Sequence, residues 1–243
     1  STAGLIPTSR DLDGITHVLS TIPPTTEGHD PVLTHLGSQL KERSLTWVGY
    51  LSTTGVYGDQ QGRWVSEDDP ANPGQPRSQR RHACEQAWLD SGLPVQILRL
   101  PGIYGPGRSV LDSLRTGTAR RILKADQVFC RIHVDDIAGA CLHLMHQAAA
   151  GPGPAIVNVS DDRPAAPQDL LQYGAALLNC KLPDEEPFEL ASHSMSAMAR
   201  SFWSENRRVR NTLLCQQLGY ALLHPDFKAG LQDCLRQESQ SCS

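Results

Sequence analysis

Short apolar runs alternate along the chain with segments of helical spacing. The first run, Ile15 to Ile22 (Ile-Thr-His-Val-Leu-Ser-Thr-Ile), stops at Pro23-Pro24 and predicts a strand. Asp30-Pro31 then supplies an N-cap and an N1 proline for a helix with Val32, Leu33, Leu36 and Leu40 on one face. Leu45 to Leu51 predicts a second strand, which runs into Ser52-Thr53-Thr54-Gly55-Val56-Tyr57-Gly58. A polar, proline-rich stretch follows from Asp59 to Pro76. Helical spacing resumes at Ala83, Cys84, Ala87 and Trp88 and halts at Ser91-Gly92. Val95 to Leu100 is a third strand, closed by Pro101-Gly102-Ile103-Tyr104-Gly105-Pro106-Gly107.

Beyond that loop the pattern loosens. Val110 to Lys124 reads as a helix interrupted at Gly117. Asp135 or Asp136 caps a helix with Ile137, Cys141, Leu144 and Met145 inward, and Ala155 to Val159 is a short strand. Gln168 to Asn179 is a helix, and two short helices close the chain, one before Gly219-Tyr220 and one around Phe227, Leu231 and Cys234. Strands alternating with helices, followed by a mixed tail, predict an α/β fold: a parallel sheet with a smaller C-terminal lobe.

The 243 residues suffice for one large α/β domain or two modest ones. Twenty-two Lys and Arg against 26 Asp and Glu give a formal charge of −4, which argues against a general nucleic-acid binder. The longest apolar stretches, such as Ile137 to Met145, fall short of the roughly 18 residues that span a bilayer, so no membrane partner is expected. No two of the seven cysteines lie closer than eight positions. That scatter reads as reduced thiols and a cytoplasmic location, without zinc-ribbon spacing.

Each of the first three strands ends in a loop of small, polar or Gly/Pro residues: Ser20 to Pro24, Ser52 to Gly58 and Pro101 to Gly107. In an open parallel sheet the ligand crevice lies outside the carboxyl ends of the strands, so these three loops are the candidate binding site.

The stretches Tyr50-Leu-Ser-Thr-Thr-Gly-Val-Tyr-Gly58, Leu98-Arg-Leu-Pro-Gly-Ile-Tyr-Gly-Pro-Gly107 and Arg131-Ile-His-Val-Asp-Asp-Ile-Ala138 resemble the extended short-chain dehydrogenase/reductases, the NAD(P)-dependent epimerase/dehydratase-like proteins. Order and spacing match through Leu218-Gly219-Tyr220, and the resemblance is to an atypical branch of that family. It implies a Rossmann-like, doubly wound, mostly parallel sheet in residues 1–109. Residues 110–243 would form mainly a C-terminal α/β substrate lobe, with 134–160 returning to the sheet. It also implies NAD or NADP as cofactor and a small-molecule substrate held between the two parts; a homodimer is an assembly it admits. Carried over by position, Thr53 stands for the catalytic Ser/Thr. Pro23 lies beside the cofactor ribose, Tyr57 borders the cofactor, and Pro101, Gly102 and Ile103 approach the nicotinamide. His133 and Asp136 fall in the motif at the lobe junction, as structural residues.

Two departures stand out. No Gly-x-Gly-x-x-Gly occurs, and the first strand here corresponds to the family's fourth, so the sequence reads as N-terminally truncated and short of its phosphate cradle. The family's Tyr-x-x-x-Lys is also missing. The five tyrosines are followed four residues later by Thr54, Gln61, Arg108, Leu177 and His224. Alignment through Glu85-Gln86-Ala87 puts Arg77 at the Tyr position and Arg81 at the Lys position. A guanidinium cannot exchange protons near neutrality but binds anions, so Arg77 and Arg81 are expected to meet a phosphate or carboxylate near Thr53. Tyr57, Tyr104 and His82 are weaker candidates for an acid/base.

Other features carry less. His133, Asp135, Asp136, His143 and His146 spread around a helix instead of converging, so no metal site is expected. Arg207-Arg208-Val209-Arg210 is either a solvated strand or a hold for an anionic group. Met198, Phe202 and Trp203 suggest a loop over the crevice, a subunit contact or plain core packing. No Gly-x-Ser-x-Gly, His-Glu-x-x-His or Walker sequence is present. The expected function is an NAD(P)-dependent oxidoreductase of the epimerase/dehydratase kind, acting on a hydroxyl or carbonyl of a small, sugar-like substrate. The alternatives are a non-catalytic dinucleotide or metabolite binder, and an interaction module using an uncovered sheet edge.

Overall fold

The structure, a computed structural model, describes residues 6–241. In chain order the first elements are β1 (His17–Ser20), α1 (Pro31–Lys41), β2 (Trp47–Thr53), β3 (Trp64–Val65), α2 (Pro76–Leu89), β4 (Val95–Leu100) and β5 (Gly102–Tyr104). They continue through α3 (Val110–Arg115), β6 (Arg121–Leu123), β7 (Arg131–His133), α4 (Val134–Ala148), β8 (Ile156–Asn158) and α5 (Pro167–Leu178). The last are β9 (Glu185–Pro187), α6 (Phe188–Ser194), α7 (Ala197–Trp203), β10 (Arg208–Val209) and α8 (Phe227–Ser241).

Strands β1, β2, β4 and β8 form one parallel sheet in that order, so the chain returns to the sheet after α4. The alternation of side chains along each strand sends two sets of residues to opposite faces. On one face Val48, Tyr50 and Ile97 pack with Leu40 of α1 and with Cys84 and Trp88 of α2. On the other, Trp47, Leu98, Leu100 and Val157 meet Ile137, Ala140, Cys141 and Leu144 of α4. Helices on both faces make the fold a doubly wound, Rossmann-like α/β sheet. β1 is an edge strand; Leu19 within it and Ile22 just beyond its end are 38% and 47% exposed. Three further parallel pairs, β5–β7, β6–β9 and β3–β10, attach the rest of the chain. Among the described residues no disulfide forms, and no helix is long and apolar enough to cross a membrane.

Local chemistry explains most boundaries. The side chain of Asp30 accepts the Leu33 N–H at 2.9 Å with Pro31 at N1, as its sequence demands. Three expectations fail. The segment from Val110 to Lys124 is helical only to Arg115: Gly117, at φ +67°, turns the chain, and Arg121–Leu123 becomes a strand; Arg121 and the preceding Arg120 pair with Glu185 and Glu186 of β9. The α4 cap is neither Asp135 nor Asp136 but His133, whose Nδ1 accepts the Asp135 N–H at 3.2 Å. The closing helix α8 runs 15 residues and is anchored by Phe227, Leu231 and Cys234 against Tyr104 and Leu111.

Candidate functional site

The register sets Thr53 of β2 beside Leu100 of β4, so the loops after these two strands leave the sheet side by side. A cavity of about 420 Å³ opens there. Thr53, Thr54 and Pro101 to Tyr104 line one side of it, and Val128 to Arg131 another. Ala199, Phe202 and Trp203 of α7, with Glu205 and Arg207, close it from the C-terminal part. The walls are thus aromatic and cationic, with Glu205 and Arg207 paired at 2.7 Å.

Thr53 ends its strand and caps the helical turn of Thr54–Tyr57. Its Oγ1 accepts the Gly55 N–H at 3.1 Å, which leaves the hydroxyl hydrogen to donate elsewhere. Gly55 is required here: a Cβ would come within 2.7 Å of Ser78 Oγ on α2. Pro101, Gly102 and Ile103 line the same cavity as Thr53. Pro23 lies exposed at the tip of β1 and outside that lining. Tyr57 is turned the other way: its ring is fully buried, and its hydroxyl donates to Asn158 Oδ1 at 2.9 Å beneath the Arg99 guanidinium.

Behind the wall, beside Arg131, Asp161 is 1% exposed and its carboxylate oxygens make no close hydrogen bond. Burial pushes its carboxyl up to about 8, and the charge of Arg131 only partly opposes this. An acid whose pKa rises on folding takes up a proton as the chain folds, so stability falls as pH climbs from about 4 to about 8 and then levels. The stability of Asp161→Asn relative to the parent should therefore rise by about 2–3 kcal/mol between pH 6 and pH 8. Urea titrations at the two pH values measure it, and a gap independent of pH would refute it.

The NAD dependent epimerase/dehydratase family matches residues 32–160, more than half of the chain. The chain belongs to that family. It is 28% identical over 179 residues to Protein YeeZ of Escherichia coli K12, a match covering 73% of this chain and 58% of YeeZ. A functionally unknown conserved protein from Silicibacter pomeroyi DSS is 44% identical, with a TM-score of 0.88 over 97% of this chain and 82% of that one. Human epimerase family protein SDR39U1, solved with NADPH, shares the fold at a TM-score of 0.71 and 15% identity, over 96% of this chain and 84% of that one. The chain thus spans 58% of the length of the E. coli protein it matches.

Within this epimerase/dehydratase frame the two arginines part company. Arg81 Nη1 donates to Tyr50 Oη at 2.9 Å, Leu51 O at 3.2 Å and Ile22 O at 3.4 Å, tying the tips of β1 and β2 together. Arg77 Nη1 reaches across to Ser201 Oγ at 2.5 Å, and its guanidinium lies 4.1 Å over the Phe202 ring. They share a helical face, but one holds the sheet and the other holds α7. Tyr104 lines the cavity while its hydroxyl turns toward Asp226 O at 3.5 Å, and His82 stands 3.5 Å from Glu85. Burial raises the phenols of Tyr50, Tyr57 and Tyr104, keeping them protonated.

The sequence pointed only faintly to the far wall. The segment around Phe202 is a helix capped by Ser196, whose Oγ accepts the Ala199 N–H at 3.1 Å. Of the basic run, Arg207 faces the cavity, while Arg208 and Arg210 attach to Gly62 O and the Trp64 ring in the β3–β10 pair. His143 and His146 do not join His133: His143 Nε2 meets Leu218 O at 2.7 Å.

Proposed function

We propose that the cleft binds the nicotinamide end of NAD or NADP together with a small hydroxyl- or carbonyl-bearing substrate, in an oxidoreductase or epimerase/dehydratase-like role. The observation that carries this is the sharing of one cavity by Thr53 and the Pro101–Ile103 loop, at the carboxyl ends of adjacent parallel strands. The residues suit that half of the cofactor: a flat wall of Pro101, Gly102 and Ile103, a free hydroxyl donor, and a volume of about 420 Å³, too small for a whole dinucleotide. No glycine-rich cradle for the pyrophosphate stands in this chain. When bound, the nicotinamide supplies hydride exchange at the substrate carbon. Thr53 donates its hydroxyl to the reacting oxygen. Phe129, Phe202 and Trp203 give the pocket aromatic walls, and Arg131 and Arg207 give it positive charge toward an anionic group. Arg81 acts from outside the cavity, fixing the strand tips on which the site depends, with Pro23 at the ribose side. NADPH in human SDR39U1 supports the cofactor assignment.

A second reading is favoured by the catalytic pair. With Arg77 and Arg81 at the positions of the family's Tyr and Lys, and every phenol near the cleft buried and protonated, the same cavity suits a non-catalytic dinucleotide or metabolite sensor.

Thermal unfolding with NADH and NADPH separates the outcomes. At 100 times its Kd, a cofactor that binds only the folded chain stabilises by about 2.7 kcal/mol. Arg81→Ala should weaken that binding about tenfold or more by loosening the two tips. Binding with turnover of sugar-like alcohols supports the enzyme, and binding without turnover supports the sensor. No shift with either nucleotide overturns both.

A further inference from the structure

We propose that His133, Asp135, His224 and Asp233 form a site for one divalent transition-metal ion of the zinc class, at the seam where α8 docks on the start of α4. One donor atom from each of the four lies within 4.8 Å of the others. Four ligands held ~2.0–2.1 Å from a tetrahedral ion lie roughly 3.4 Å apart, so small side-chain rotations close the set. Two imidazoles with two carboxylates suit zinc, cobalt(II) or manganese(II) rather than calcium or magnesium.

The orientation of His224 is independent support. Its Nδ1–H donates to Asp136 Oδ2 at 3.0 Å, and Asp136 is itself fixed by the N–H groups of Leu223 and His224 and by the Tyr220 hydroxyl. That leaves Nε2 aimed at Asp233 Oδ2, 3.3 Å away. A carboxylate behind the imidazole, fixing its tautomer and ring plane, is the usual outer partner of a metal-bound histidine. The His133 ring lies 3.9 Å from that of His224, tilted 37° to it, with Nδ1 on the Asp135 N–H and Nε2 3.6 Å from Cys234 Sγ. Between the two acidic ligands, the Gln237 amide donates to Asp233 Oδ2 at 2.7 Å and to Asp135 Oδ2 at 3.4 Å. A partial positive charge already lies between these carboxylates. Entry is open from the Asp135 side, where that side chain is 44% exposed. The ion displaces the Gln237 amide and the 3.2 Å cap from Asp135 N–H to His133, and in return links α4, the turn before α8, and α8 itself. None of the four residues lines the cleft, although the Tyr104 ring packs edge-on against His133 at 5.1 Å between the two places, and the site does not rest on the nicotinamide assignment.

The test uses the full, tag-free chain stripped with EDTA and titrated with zinc chloride and with cobalt chloride. Expected are one ion per chain and a rise in Tm of roughly 5–10 °C at a hundredfold excess over Kd. The cobalt spectrum should lack thiolate charge-transfer bands. Asp233→Asn and Asp135→Asn should each weaken binding tenfold or more. Asp135 is half-exposed, so that variant decides the matter if Asp233→Asn does not fold. No binding by the parent overturns the proposal. So does stoichiometric binding that survives Asp135→Asn, or a thiolate spectrum, which would place the ion on a cysteine such as the exposed Cys180.

Discussion

Arg99→Met should destabilise the folded chain by about 3–5 kcal/mol. Glu85 of α2 is fully buried and Arg99 of β4 is 2% exposed. Two guanidinium bonds join them, Nε to Oε1 at 3.1 Å and Nη2 to Oε2 at 2.7 Å, and the Ser52 hydroxyl adds a third to Oε1 at 2.5 Å. Burial alone would weaken the arginine's charge, yet the bonds to Glu85 outweigh it and raise its pKa. Removing the guanidinium leaves a carboxylate in the core without its partner, which costs far more than the intact pair contributes. Arg99→Met combined with Glu85→Gln should recover most of the loss, because neither charge then remains. Urea unfolding of the two single variants and the double variant completes the cycle. A cost below about 1 kcal/mol for Arg99→Met, or no recovery in the double variant, would show that the pair is not the anchor its geometry describes. Ser52 adjoins Thr53, so the same pair also sets the height of the cleft floor.

Where a fold is decided by neighbours in sequence, it was legible. Asp30-Pro31 names a helix start because cap and proline act within one turn, and the run from Val95 to Leu100 names a strand because both of its faces are covered. Legibility ended where the partner is distant. Arg121–Leu123 has only Ile122 to mark it as a strand, and what makes it one is pairing with Glu185 and Glu186 more than sixty residues on. The start of α4 shows the same limit. Two aspartates at a helix start look like caps, but Asp136 turns inward to residues 220–224, and the cap falls to His133, which no local rule ranks highly.

The cleft divides in the same way. Thr53 and the Pro101–Ile103 loop follow from strand ends, a rule that needs only chain order. Arg77 and Arg81 sit four apart on one helix, which suggests a shared anion, yet their side chains are long enough to find separate partners in Ser201 and Leu51. Tyr57 leaves the cleft for a different reason. Val-Tyr-Gly resembles a loop at the cleft, whereas a 3-10 turn after Thr53 rotates that phenol into the core against Asn158. Phe129, Glu205 and Arg207 come from segments with no periodicity, so only tertiary structure brings them to the wall.

Asp136→Asn should cost about 2–3 kcal/mol, and Asp136→Ala more than about 3 kcal/mol. The carboxylate is fully buried and accepts from four donors: Leu223 N–H at 2.7 Å, His224 N–H at 2.9 Å, His224 Nδ1–H at 3.0 Å and the Tyr220 hydroxyl at 3.2 Å. An asparagine offers one acceptor oxygen and sets an NH₂ against two of those donors, so at least two buried N–H or O–H groups lose their partner. The two roles this residue could hold at a helix start separate cleanly on that substitution. As an N-cap, asparagine serves nearly as well as aspartate and the change would be almost silent. As a clamp on residues 220–224, only a carboxylate satisfies all four donors. Urea unfolding gives the size of the loss, and amide exchange gives its place: Leu223 and His224 should lose protection while the N–H groups of the first turn of α4, capped by His133, keep theirs. A silent Asp136→Asn, or loss of protection confined to the first turn of α4, would return Asp136 to a capping role and leave the C-terminal turn held by packing alone.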